Sequence, residues 1–104
     1  MDNIYYFEVT SITGKRIRTT NTYWDKLINE KHPRMKGREK EVKEALENPI
    51  EIRRSKVDQN IYMYYKNMED NFLCVVVRHL NRDGYIITAY VTVKIKEGEL
   101  VWKK

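Results

Sequence analysis

The chain has 104 residues, 41% hydrophobic and 34% charged, with eight tyrosines, two tryptophans and a formal net charge of +5. That composition excludes a disordered chain, and a single cysteine excludes both a disulfide framework and a Cys-based metal cage. The longest apolar runs, 72–77 and 85–93, are far shorter than the roughly 20 residues a membrane span needs.

The acidic start MDNIYY is unlike a signal peptide, so the expectation is a cytoplasmic protein without membrane contact, folded as one domain over residues 1–104. The basic residues cluster: Lys15, Arg16 and Arg18; Lys31, His32, Arg34, Lys36, Arg38 and Lys40; and Arg53, Arg54 and Lys56. Brought to one face, such clusters attract phosphate backbones.

The first segment, IYYFEVTSITGKRIRTT, alternates and is rich in aromatic and β-branched residues around Thr13-Gly14, which predicts a strand or short hairpin. Asn21 or Thr22 is placed to cap a helix, with Asp25 in capping-box position and Trp24, Leu27 and Ile28 as its apolar stripe. Pro33 stops that helix near Lys31, because the residue before a proline is driven out of the α region. His32 in EKHPR therefore reads either as a helix stop or as an imidazole held at a set angle.

Gly37 precedes a second helix, REKEVKEALEN, with Val42, Ala45 and Leu46 on one face and Glu39 set to pair with Lys43. Asn48-Pro49 ends it. The period then turns extended, with strands expected at 50–57, 61–67, 72–80, 85–94 and 99–102. Strands 72–80 and 85–94 read as the central pair. Cys74, inside FLCVVV, reads as a small buried hydrophobe. The closing GELVWKK ends in lysines, which discourages pairing between edge strands.

A β segment, two helices and a meander define an α+β fold, with helices on one sheet face and the other face available to a ligand. Alternation sends Tyr64 and Tyr65 to opposite faces and puts Thr88 and Tyr90 on one. The hairpin at Asp83-Gly84 decides which basic group joins them. A two- or four-residue loop selects His79 and a three-residue loop Arg78, and the Asp-Gly pair favours the two-residue turn.

No metal-binding spacing, P-loop or dinucleotide motif occurs in the sequence. What it does hold are proton-transfer and phosphate-compatible groups: His32, Arg53, Arg54, Ser55, Tyr64, Tyr65, Arg78, His79, Thr88 and Tyr90. RNA cleavage without metal needs such groups, to take the proton of a 2′-hydroxyl, protonate the leaving 5′-oxygen and stabilise developing charge.

The succession IRTTNTYWDKLINEKHPRM, VKEALENPIEIRRS, YMYYK, CVVVR and GYIITAYVTVKIKEGELVW resembles small prokaryotic proteins grouped with phage-type BECR nuclease domains, the superfamily of barnase, EndoU, tRNA-cleaving colicins and RelE. The spacing from Trp24 to Pro33, the run from Ile52 to Ser55 and the triplet Thr88 to Tyr90 carry the likeness. The resemblance implies N-terminal helices packed on a four- to five-stranded antiparallel sheet, and RNA cut without metal or other cofactor by 2′-hydroxyl attack.

Carried over by position, it implies His32 as general acid or base, Arg54 and Ser55 as phosphate contacts, and Thr88 and Tyr90 on the cleft floor. Tyr65, Arg53, Arg78, Arg34 and Lys94 join them as expected substrate contacts. The implied partners are RNA and, for a toxin, a cognate antitoxin-like protein. A non-catalytic RNA- or protein-binding module of the same fold is the alternative.

Overall fold

The computed structural model describes residues 4–95 and 98–104 of the protein. The chain begins with a hairpin of β1 (Phe7–Thr10) and β2 (Arg16–Thr19), closed by a turn in which Gly14 adopts φ +85°. Helix α1 (Asn21–Lys26) follows, continued by one π turn at Leu27–Lys31 and a 3-10 turn at Pro33–Met35. After α2 (Glu39–Glu47) come β3 (Glu51–Arg54), β4 (Ile61–Met68), β5 (Asn71–His79), β6 (Asp83–Thr92) and β7 (Glu99–Lys103).

All the strands join one seven-stranded sheet in the order β1-β2-β6-β5-β4-β3-β7. The α+β class and the positions of the five expected strands agree with the sequence reading, and β5 and β6 do lie inside the sheet. The sheet is larger and more mixed than the antiparallel four- to five-stranded one expected. Its N-terminal hairpin is integral, and β2 pairs parallel to β6 from Arg16 to Arg18. Nor does β7 continue a meander. One edge of β6 is taken by β5 and the start of the other by β2, so β7 joins the free edge of β3 instead.

Apolar alternation sorts the core onto two faces. On one, Ile17, Ile52, Tyr64, Leu73, Val75, Val77, Ile86 and Ala89 meet Trp24, Leu27 and Met35 from the first helical stretch and Val42, Ala45 and Leu46 from α2. The other face carries a smaller cluster, Met63, Tyr65 and Cys74 with Val76, Tyr90 and Ile95 packed around it. Ile95, just after β6, thus covers part of this face.

Two local expectations are corrected. Thr20, rather than Asn21 or Thr22, caps α1, its side chain accepting from the Tyr23 N–H at 3.1 Å. Glu39 and Lys43 turn toward the N-terminal strand instead of each other: Glu39 accepts from the Tyr6 hydroxyl at 2.6 Å, and Lys43 sits 4.9 Å from the Phe7 ring centroid.

Candidate nucleic-acid interface

The position of His32 is built in steps. In the π turn the His32 N–H reaches back to the Leu27 carbonyl at 2.8 Å, a wider loop than an α-turn. Pro33, which cannot donate a backbone hydrogen bond, opens the 3-10 turn and keeps His32 outside the helical region at φ −138°, ψ 79°. Met35, fully buried, anchors the segment in the core.

Strand β6 supplies the opposing wall. Its pairing with β2 ends at Tyr85, and beyond that point the Tyr23 hydroxyl donates to the Ile87 carbonyl at 2.7 Å. The helical stretch thus covers the edge that β2 leaves open and delivers the His32 ring to Tyr90, with centroids 5.6 Å apart and planes tilted by 35°. A cavity of about 360 Å³ lies there, with Lys31, His32, Arg34, Met35 and Tyr90 in its walls. A neighbouring cavity of about 470 Å³ is lined by Ser55, Lys56, Ile61, Met63, Val76 and Tyr90. Tyr90 is common to both, so the two adjoin as one cationic, partly apolar groove that runs from the helical stretch beside β6 onto the opposite sheet face.

The structure brings some expected residues to this groove and separates others. His32, Arg34, Ser55 and Tyr90 line it. Thr88 lies on the same face opposite Val76, with its Oγ1 buried and lacking a hydrogen-bond partner among the described residues. Ser55 Oγ accepts from the backbone N–H groups of Val57 and Asp58 at 3.1 and 3.2 Å, so it also builds the turn after β3.

Arg54 departs from expectation. It registers with Tyr62, on the side of Ile52 and Tyr64, and pairs with Glu99 at 3.7 Å, whereas Arg53 shares the groove face. Arg53 is held by Glu51 at 2.6 Å. Tyr65 is on the groove face but only 2% exposed, packed with Met63 and Cys74, which withdraws it from any ligand. Lys94 is exposed on the connection leaving β6 and lines neither cavity.

A β-bulge reverses the expected choice between Arg78 and His79. Val77 registers with Ile86 but Val76 with Thr88, so Ile87 is an extra residue and every later β6 side chain changes face. Arg78 therefore shares the face of Thr88 and Tyr90, where it pairs with Asp58 at 2.8 Å. The backbone N–H of Asn60 and the Arg78 guanidinium hold the Asp58 carboxyl below the usual carboxylate range.

His79 points to the helix-side core. Its Nε2 lies 2.9 Å from the Tyr64 hydroxyl, and its ring stacks on Tyr62 with centroids 3.9 Å apart. Burial and, secondarily, Lys15 push its pKa down to about 4. The Tyr64 hydroxyl is in turn 2.8 Å from Thr13 Oγ1, and burial raises the Tyr64 pKa against the hydrogen bonds from Ser11 and Thr13. This network was invisible in the sequence because its members are brought together across long separations. Lys31 and Lys56, also missed as groove residues, were present in the basic clusters.

Among the described residues no group of three or more His, Cys, Asp and Glu side chains is arranged to hold a metal ion. No described helix is long and apolar enough to cross a membrane. Comparison with family models, with curated proteins and with solved structures returned no match to this chain.

Proposed function

We propose that the protein is a metal-independent, ribonuclease-like member of the BECR group that takes single-stranded RNA along the groove and acts in the cytoplasm. The observation that carries this reading is the His32 ring set against Tyr90 in a cavity whose other charged walls, Lys31 and Arg34, are cationic. His32 exchanges a proton with the attacking 2′-hydroxyl or the leaving 5′-oxygen. Lys31 and Arg34 offset charge at the phosphate, and the Tyr90 ring supports a base. In a toxin, an acidic antitoxin-like protein would cover the same groove.

The test is cleavage of a single-stranded RNA by purified protein in EDTA. Wild type is expected to cut, and His32→Ala to lose about 100-fold or more in rate, the usual worth of a positioned acid or base. Equal cleavage by both proteins, or none by either, rejects catalysis at His32.

A second reading, a non-catalytic RNA-binding module, is favoured by one specific observation. Arg53 and Arg78 are both neutralised by carboxylates, and Arg54 faces away, so three of the four guanidinium groups expected to meet RNA are engaged elsewhere and Arg34 alone of them serves the groove. Intact RNA that shifts in a gel with steep salt dependence is the outcome that selects it.

A further inference from the structure

A second cationic hollow lies away from the groove, where the turn between β1 and β2 meets the turn between β5 and β6. It encloses about 530 Å³, and its walls include Thr13, Gly14, Lys15, Arg16, Asn81 and Arg82. Every charged residue among these is a cation.

The two turns are fastened to each other. Lys15 Nζ donates to the carbonyls of Leu80 and Asn81 at 3.2 and 2.5 Å, and the Arg16 N–H donates to the Arg82 carbonyl at 3.1 Å. Arg16 engages Asp83 through Nε at 3.0 Å, and its guanidinium has four further N–H groups to offer. The hollow is therefore a constructed feature, not a loose cluster of surface lysines.

Its back wall is polar and leads inward. Thr13 Oγ1 is 2.8 Å from both Ser11 Oγ and Tyr64 Oη, and Tyr64 Oη is 2.9 Å from His79 Nε2. Such a chain can run in either direction, because hydroxyls both donate and accept and imidazole has two tautomers. An acceptor-only ligand selects one direction: His79 Nε2–H donates to Tyr64, Tyr64 donates to Thr13, and the Thr13 hydroxyl donates into the hollow.

We propose that this hollow binds a phosphate group, held by Arg82, Arg16 and the Thr13 hydroxyl, with the Tyr64–His79 chain acting as a positioning device behind Thr13. Phosphate suits the site because it is acceptor-only, multiply charged and able to take donors from several directions. The hollow is larger than a bare phosphate ion, so a phosphate monoester fits as well as the free ion. This site is independent of the His32 groove and of any activity there.

The test is calorimetric and NMR titration of the full chain with inorganic phosphate, adenosine 5′-monophosphate and adenosine. Saturable binding of phosphate or the monophosphate, with amide shifts at Thr13, Gly14 and Arg82 and none from adenosine, is expected. Tighter binding of the monophosphate identifies an ester as the ligand, and equal binding identifies the free ion. Arg82→Ala, a turn variant outside the core, is expected to weaken binding about 10-fold, the scale of one charge-assisted hydrogen bond. Thr13→Val is expected to weaken it too and to move the His79 ring signals, with Thr13→Ser restoring both. No saturation by either phosphate, equal shifts from adenosine, or affinity unchanged in Arg82→Ala and Thr13→Val overturns the proposal.

Discussion

The two histidines show how far a residue type is from a role. His32 was conspicuous in sequence because Pro33 follows it, and Pro33 does what proline chemistry dictates: the helix ends and His32 leaves the α region. His79 was conspicuous only as a titratable group, and it lies half-buried against Tyr62 and Tyr64 on the helix-side face instead of on the groove face. Its pKa is depressed to about 4, so the unfolded chain takes up the proton first as pH falls. The stability tied to neutral His79 is complete above the unfolded value near 6.5 and is lost as pH drops toward 4. Wild type is expected to lose on the order of 2 kcal/mol more than His79→Gln between pH 7 and pH 4, read from urea midpoints at both pH values. At Thr20, the observed cap of α1, substitution by alanine is expected to cost about 1 kcal/mol in the same assay.

Among the elements, periodicity located α2 and its buried Val42, Ala45 and Leu46, and it located β3 to β7 to within a few residues. It could not foresee the bulge at Ile87. Once that extra residue is inserted, Arg78 and not His79 shares a face with Thr88 and Tyr90, and no turn motif at Asp83-Gly84 reports it. Alternation within β3 was legible and sends Arg53 and Arg54 to opposite faces, since neighbours on a strand face opposite ways. Gly84 marks where three strands crowd: a Cβ there would stand 2.6 Å from the Arg78 carbonyl oxygen and 2.8 Å from Ile17 Cδ1. Gly84→Ala is expected to destabilise by about 2–3 kcal/mol, the cost of overpacking between β5 and β2, and a lowered urea midpoint is the measurement.

For the molecule as a whole, the distribution of charge matters more than the net +5. Of the many basic residues, Lys31, Arg34 and Lys56 line the groove, while Arg16, Arg18, Arg53, Arg54 and Arg78 are in ion pairs. If the three groove cations each contact one phosphate, RNA affinity should fall about 20-fold between 50 and 200 mM salt, measured by fluorescence anisotropy. A flat response would mean that RNA does not follow this groove. The sequence by itself determined the α+β class, the buried stripes and the geometry that Pro33 imposes on His32, because each depends on residues a few positions apart; the turn expected at Asp83-Gly84 instead opens β6, and the chain reverses at Asn81-Arg82. Only the tertiary structure decided that β2 joins β6 in parallel, that β7 crosses to β3, that His32 meets Tyr90, and that His79 joins Tyr64 and Thr13. Those outcomes depend on which strand edge is still free and on one inserted residue, and neither leaves a local signal in the chain.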